Sequence, residues 1–469
     1  MARLSEKIGY GLGDAAAGGI TWKVMSIAFP LFFTNIFGLT IADTAALMLV
    51  ARLFDVVTDP LMGAIADRTQ SRWGTYRPWL IFGAIPLGLV FALLLYTPDL
   101  GPAGKRIYAY SMYLLMMVVY TAVNVPYGSL LGVMTDDSRE KSVFSSFRMF
   151  FAYIGSFIAM GVFWLFEKSI IGTENAAGKI IKGVGDANPM SWTMVVTSVA
   201  VLCAVLFILC FFLTKEHVKI EMKPQVHGLA SIKEDLKALG TNGPWWLLLG
   251  AAIGQLLCGS IRGGAAAYYF ANILDTSVII TCAVYLTIGE IAQMTGVTFT
   301  VFLAEKFGKR DTFIASLVAV IIFSCAIWFI PLGSASAIWW LLVLQILISL
   351  AFGVAAPLTW SMFADVADYS ELKHGANSTG LIFSSSSMAQ KFGGAIGGFL
   401  LLALLGAFGY DKSLDVQAPE TLGAIKAMMS FVPAIGAAIG ILFLSFYPLT
   451  TAKMKEIQAE LAVKRAQKQ

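Results

Sequence analysis

The chain has 469 residues, of which 58% are hydrophobic and 13% are charged, with a formal net charge of +4 and a mean hydropathy of +0.75. Soluble domains carry about 25% charged residues, so this composition excludes an ordinary soluble enzyme and predicts a protein that crosses the membrane many times. The small positive charge does not indicate a nucleic-acid partner, because the basic residues lie in loops that flank apolar stretches.

Apolar stretches near 20 residues, the length of a membrane-spanning helix, recur along the chain. They predict an all-α membrane protein with 12 transmembrane helices in two six-helix bundles. The predicted spans are 10–36, 42–65, 78–97, 107–134, 142–166, 191–214, 243–271, 277–303, 312–332, 336–363, 379–408 and 424–448. The predicted domains are an N-terminal bundle (1–214), a middle loop (215–241), a C-terminal bundle (242–449) and a tail (450–469).

The distribution of Lys and Arg predicts the orientation of these helices. The middle loop 215–241 and the tail 450–469 are rich in Lys, and they lie on the same predicted side as Arg68, Arg72 and Arg310. By the positive-inside rule, both termini and the middle loop are expected in the cytoplasm.

Charged residues on one face of the second predicted helix are the first sign of function. Arg52, Asp55 and Asp59 are spaced i, i+3 and i+7, so they share a helix face. Each charge at bilayer depth costs about 2.5–3.5 kcal/mol on the insertion scale, so these residues must face one another, water or an ion. Either the carboxylates hold Na⁺ or carry a proton, or Arg52 and the acids form a purely structural lock. One Arg cannot neutralise two Asp, which favours the cation.

The two predicted bundles repeat each other. Pro126 precedes Asp137 by eleven residues, and Pro357 precedes Asp368 by the same interval. Internal repeats of this kind are typical of secondary transporters, in which one repeat rocks against the other around a site at the membrane midplane.

Five segments in both halves carry a resemblance to a known family. They are IGYGLGD (8–14), VARLFDVVTDPLMG (50–63), DRTQSRWGTYRPW (67–79), YTAVNVPYGSL (120–130) and FADVADYSELK (363–373). The chain resembles the glycoside–pentoside–hexuronide:cation symporters, the melibiose permease family of the major facilitator superfamily. The resemblance implies the major facilitator fold, cation-coupled sugar import by alternating access, a site between the halves and a location in the bacterial cytoplasmic (inner) membrane.

The resemblance also implies roles for individual residues of the cation site. Asp55 and Asp59 match the carboxylates of the family's cation site, and Thr121 matches a contributing hydroxyl. Thr58 stands where the melibiose branch often has Asn, so both Na⁺ and H⁺ stay open as the coupling ion.

The substrate site is expected to differ from that of the galactoside branch. Arg148 and Lys391 match cavity bases of the family, whereas Asn124 stands where that branch has a carboxylate, and Gly18 and Gly19 stand where it has its other sugar-binding Asp. An α-galactoside is therefore not the expected substrate. The full set of expected substrate residues is Gly19, Lys23, Tyr120, Asn124, Arg148, Arg262, Trp360 and Lys391.

Lys23 and Arg262 add two further bases to the predicted helices. A cationic cavity favours a carboxylate or sulfonate on the sugar, because Lys and Arg donate charge-assisted hydrogen bonds. Alternatively, Arg148 and Lys391 pair with the cation-site acids, while Lys23 and Arg262 extend towards an interface. Glu290 either pairs with Arg262 or is a second protonatable group.

The predicted cytoplasmic motif Asp67-Arg68-x3-Arg72 is expected to form an ion lock between helices that favours the outward-facing state. It concerns conformational balance and not substrate recognition.

Other functional classes receive less support from the sequence. An enzyme would need a catalytic constellation, and the three histidines, His217, His227 and His374, all fall in predicted loops. An exporter of the same fold or a non-transporting sugar sensor would leave Asp55 and Asp59 unexplained. We expect no catalytic residues, no cofactor, no metal beyond Na⁺, sugar and membrane lipid as partners, and function as a monomer.

Overall fold

The computed structural model describes residues 3–25, 29, 32–33, 37–170, 189–218, 237, 239–274, 282–330, 337–374, 379–411, 414 and 416–466. Every regular element within these ranges is helical. Nine of the described helices are long and apolar enough to cross a membrane. The chain is therefore an all-α, multi-pass membrane protein.

The chain forms two compact units. The first contains Met1–Asp136, Phe147–Ile232 and Asn377–Ser384, and the second contains Asp137–Ser146, Lys233–Ala376 and Ser385–Gln469. The first ten residues of the second unit thus precede a long stretch of the first unit along the chain.

The first unit contains most of six helices. They are α1 (Leu4–Asp14), α2 (Ile41–Asp67), α3 (Arg77–Leu94), α4 (Pro102–Met134), α5 (Ser138–Ile170) and α6 (Pro189–Leu213). The first turns of α5 belong to the second unit, through Ser146. Each helix overlaps a predicted span, because a run of apolar residues is recognisable without knowledge of its neighbours.

The second unit contains the remaining helices. They are α7 (Gly243–Asn272), α8 (Cys282–Phe307), α9 (Lys309–Ile327), α10 (Ala337–His374), α11 (Thr379–Ala407), α12 (Pro419–Met429), α13 (Phe431–Ser445) and α14 (Thr451–Ala466). The first turns of α11, through Ser384, belong to the first unit. The last predicted span is divided at Ser430, whose backbone leaves the helical region at φ −118° and ψ −80°.

The first predicted helix has an unusual continuation. After Asp14, the seven residues Ala15–Thr21 form a π-helical segment. This geometry is rare in proteins, and where it occurs it is often at a functional site. The small side chains of this segment allow close contact with α5. A Cβ on Gly155 of α5 would collide with the carbonyl oxygen of Ala15. The close packing of α1 against α5 sets the position of Asp14 at the start of the segment.

Candidate functional site

The two acids of α2 are almost fully buried. Asp55 and Asp59 are each 1% exposed, and since they are four residues apart they lie on the same face of the helix. The hydroxyl of Thr121 on α4 donates a 2.8 Å hydrogen bond to Oδ1 of Asp59. The structure thus brings together three of the four residues expected at the cation site within the first unit.

Thr58, the fourth expected residue, has a different hydrogen bond. Its hydroxyl donates to the carbonyl oxygen of Phe54 at 3.2 Å, one turn earlier in the same helix. The side chain of Arg52, the base expected beside these acids, lies outside the described residues. Pro60 follows Asp59 inside α2 and removes one backbone donor from the helix beside the acids.

A second buried acid lies at the end of α1. Asp14 and Arg148 are 2% and 3% exposed, and Oδ2 of Asp14 lies 3.1 Å from Nε of Arg148. The guanidinium of Arg148 also lies over the ring of Tyr127, 5.0 Å from its centroid. Arg148 was expected as a cavity base, and the structure shows that its charge is balanced by Asp14.

Asp14 ends the motif IGYGLGD, but the sequence pattern assigns it no role of its own. The available signal was a single acid at helix depth, which requires a partner of opposite charge or a polar surrounding. That partner is 134 positions away in the sequence, so no local pattern identifies it.

Of the other expected substrate residues of the first unit, Gly19 lies in the π-helical segment, Lys23 follows it and Tyr120 contacts it. The hydroxyl of Tyr120 donates to the carbonyl oxygen of Ala17 at 3.4 Å. Lys23 and Asn124 are half-buried. Gly19 packs against α5, where a Cβ would lie 2.5 Å from the carbonyl oxygen of Ala152. The observed contacts of Gly19 are therefore those of helix packing, and its substrate role stays a prediction.

Three expected substrate residues belong to the second unit. Arg262 on α7, Trp360 on α10 and Lys391 on α11 are 8%, 6% and 6% exposed. Nη2 of Arg262 donates to Oε1 of Gln345 and to the hydroxyl of Tyr285 at 3.3 Å. The expected alternative, a pair between Arg262 and Glu290, is absent from the described residues.

Asp67 of the expected cytoplasmic lock accepts hydrogen bonds from a tyrosine and from the start of another helix. Oδ1 of Asp67 accepts hydrogen bonds of 2.6 Å from the hydroxyl of Tyr76 and from the backbone N–H of Gly380, and Oδ2 accepts one of 3.3 Å from the N–H of Leu381. Gly380 and Leu381 begin α11, where backbone N–H groups lack partners within the helix and the helix dipole attracts an anion.

The two bases of the motif make local contacts. Nη1 of Arg68 donates to the carbonyl oxygen of Ala64 at 2.9 Å, and the guanidinium of Arg72 lies 4.4 Å from the ring centroid of Trp73. In the described part of the chain no ion pair joins Arg72 to Asp67, and the role of the motif as an inter-helix lock that favours the outward-facing state stays a prediction. The guanidinium of Arg72 and the neighbouring ring form a cation–π contact.

The second unit contains a buried charge cluster that sequence reasoning did not assign. Nζ of Lys141, which is 0% exposed, forms an ion pair with Asp368. Asp365 accepts from Nζ of Lys309 at 2.6 Å and from the hydroxyl of Ser138 at 2.9 Å. The repeat in the sequence points to Asp368, but it gives no sign of the partner, Lys141 on α5.

Many apolar helices with buried charges between them are typical of a multi-pass transporter, and the family comparison gives its class. The model of the MFS/sugar transport protein family matches residues 9–451. The chain belongs to this family, whose members are transporters and not enzymes, and the resemblance inferred from its motifs is confirmed.

Two relatives cover nearly the whole chain. The inner membrane symporter YicJ of Escherichia coli strain K12 is 33% identical, over 98% of this chain and 95% of its own. The isoprimeverose transporter of Lactiplantibacillus pentosus is 30% identical, over 100% of this chain and 93% of its own. The crystal structure of the E. coli fucose:proton symporter matches with a TM-score of 0.67 at 15% identity, covering 95% of this chain and 98% of that one; this match supports the fold alone.

Proposed function

We propose that this protein imports a sugar or glycoside by symport with Na⁺ or H⁺ across the bacterial inner membrane. The observation that carries the proposal is the pair of buried carboxylates on α2. One of them accepts a 2.8 Å hydrogen bond from the hydroxyl of Thr121. The relatives named as a symporter and as an isoprimeverose transporter support both the coupling and the sugar substrate.

The physical basis of coupling is the cost of burying negative charge. An ionised carboxylate in a low-dielectric surrounding is unfavourable unless it is protonated or meets a cation. Two carboxylates and a hydroxyl offer the oxygen ligands that hard cations prefer. Binding of Na⁺ or H⁺ at Asp55 and Asp59 therefore relieves this cost, and the electrochemical gradient of that ion can drive sugar import.

The finer organisation is part of the same proposal. The helices are proposed to number twelve, with both termini in the cytoplasm and domains at 1–214, 215–241, 242–449 and 450–469. The proposed substrate residues are those expected from the sequence in each bundle, and the active form is a monomer. An exporter or a non-transporting sensor receives no support from the named relatives.

Uptake into proteoliposomes tests the proposal. Purified protein is reconstituted, and accumulation of radiolabelled isoprimeverose, xylose and glucose is measured under an inward Na⁺ gradient, an inward H⁺ gradient or neither. We expect accumulation above equilibrium for at least one sugar with one gradient. Empty liposomes and the Asp59→Asn variant serve as controls. Uptake that is downhill only, or absent with every sugar and gradient, contradicts the proposal.

A further inference from the structure

Glu216 lies at the start of the middle loop, and its carboxylate meets the start of α3. Oε2 accepts a 2.8 Å hydrogen bond from the backbone N–H of Thr75, and Oε1 accepts from the N–H groups of Tyr76 at 2.8 Å and Arg77 at 3.0 Å. Amides at the start of a helix have no partner within the helix, and the positive end of the helix dipole attracts an anion. One side chain of the middle loop therefore satisfies three backbone donors at the start of α3.

The backbone on both sides of this contact is shaped for it. Gly74 has a φ of +113°, which favours glycine, and a Cβ at this position would collide with the carboxylate of Glu216. The next residues of the loop are also held, because the N–H groups of His217 and Val218 each donate to the carbonyl oxygen of Val133 at 2.9 Å. The start of the middle loop is thus attached to the start of α3 and to the end of α4.

Tyr76 connects the contact of Glu216 with a second contact. It is 0% exposed; its backbone N–H donates to Glu216, and its hydroxyl donates to Oδ1 of Asp67 at 2.6 Å. The same oxygen accepts the N–H of Gly380 at the start of α11. A connected set of contacts therefore runs from the middle loop through Tyr76 and Asp67 to α11, within the first unit.

We propose that Glu216 is a positioning residue for the contact between Asp67 and the start of α11. The hydrogen bonds of Glu216 fix the backbone of Tyr76, and the buried ring carries this position to the hydroxyl that orients Asp67. When the start of the middle loop leaves α3, Asp67 loses this support and its contact with the amides of α11 weakens. The attachment of the middle loop thus controls the start of α11, a regulatory role that goes beyond the proposed function.

Hydrogen exchange of the backbone amides of Gly380 and Leu381 tests this role in the purified full-length protein. Both amides lie in the first turn of α11, where the helix offers them no partner, so their protection reports the contact with Asp67. Glu216→Gln removes the charge and should raise their exchange rate by about 5-fold, within the range expected for coupling through connected residues. Glu216→Asp keeps the charge and should raise the rate less.

A double-mutant cycle tests the path through Tyr76. Tyr76→Phe removes only the hydroxyl and should by itself raise the exchange rate of the two α11 amides. Because the two residues act in series, adding Glu216→Gln to Tyr76→Phe should change that rate by less than about 2-fold. His217→Gln is the matched control, since it removes the neighbouring contact with Glu6 and leaves Glu216 in place. It should also change the rate by less than about 2-fold.

Asp67→Asn gives a second test that leaves Glu216 intact. Coupling between two contacts is reciprocal, so loss of the Asp67 charge should raise the exchange rate of the amides of Thr75 and Tyr76. Thermal unfolding checks that each variant is folded, and Asp67→Asn decides the question if Glu216→Gln does not fold. The amides of α10 in the second unit serve as the reference for opening of the whole protein.

Four results overturn the inference. The first is an unchanged exchange rate of the two α11 amides in Glu216→Gln, and the second is an undiminished effect of Glu216→Gln in the Tyr76→Phe protein. The third is an equal effect of His217→Gln. The fourth is an equal rise in α10, because the variant then loosens the whole protein and not one contact. These measurements need no sugar and no ion gradient, so the inference and the proposed symport fail independently.

Discussion

Arg148 on α5 forms a 3.1 Å ion pair with Asp14 at the end of α1, and both side chains are almost completely buried. Because Asp14 already balances its charge, Arg148 would have to give up this partner before it could neutralise a substrate or the acids of α2. It also anchors the start of the π-helical segment, because Asp14 is the residue that immediately precedes Ala15. Five experiments follow from this arrangement and from the neighbouring contacts.

Loss of either acid of α2 should uncouple transport. Asp55→Asn and Asp59→Asn remove the negative charge that attracts the cation, so uphill accumulation should disappear while substrate binding partly survives. Uptake and equilibrium binding, measured on the same preparations, separate these effects. Accumulation at the wild-type level in both variants would refute the cation-site assignment.

The two threonines give a matched comparison at that site. The hydroxyl of Thr121 meets Asp59, whereas that of Thr58 meets a carbonyl of its own helix. Thr121→Val removes a donor that stabilises ionised Asp59, so it should change the cation concentration needed for half-maximal uptake by about 10-fold or more, since a hydrogen bond to a charged group contributes about 1.5–3 kcal/mol. Thr58→Val should have a smaller effect, and the reverse order would assign the cation contact to Thr58.

The Asp14–Arg148 pair should show strong thermodynamic coupling. Asp14→Asn or Arg148→Gln alone leaves an unbalanced buried charge, and breaking a buried pair in this way costs about 3–5 kcal/mol. The double variant Asp14→Asn with Arg148→Gln removes both charges, so its unfolding temperature should lie above that of each single variant. Unfolding temperatures of the wild type, the two single variants and the double variant, measured in detergent, complete this double-mutant cycle. Additive losses would show that the two charges do not stabilise each other.

The contacts of Asp67 predict unequal effects within the lock motif. Asp67→Ala removes the acceptor for the first amides of α11, so a cysteine introduced by Thr379→Cys should react faster with a maleimide. Arg72→Ala removes a contact with Trp73 and should change this rate much less. The Thr379→Cys protein without a second substitution sets the baseline. Equal acceleration by both changes would show that Arg72 contributes to the lock as much as Asp67 does.

A substitution can distinguish a helix-packing role of Gly19 from a role in substrate contact. Gly19→Ala places a methyl group 2.5 Å from a backbone oxygen of α5, so it should lower stability by about 1–3 kcal/mol through overpacking. Gly263→Ala on α7 is the control, because a Cβ there meets nothing within 4 Å. Unfolding temperatures without sugar check this. An unchanged unfolding temperature with weakened sugar binding would return Gly19 to the substrate site.

The sequence by itself determined the class of protein, the approximate position of the helices and the acidic face of α2. These features are local, since hydropathy over about 20 residues and an i, i+4 spacing can be read without knowing what lies opposite. The motifs around Asp55, Asp59 and Thr121 indicated the family, which the family model and the relatives confirm.

Only the tertiary structure decided which charges are balanced and which are not. Asp14 pairs with Arg148, Asp67 accepts from the first amides of α11, and within the described part of the chain Arg262 donates to neutral side chains. Each of these contacts joins segments far apart in the chain, and the free energy of a buried charge depends on its spatial neighbours. The sequence predicts that each of these charges lies on a helix, but its partner is determined by how the helices pack.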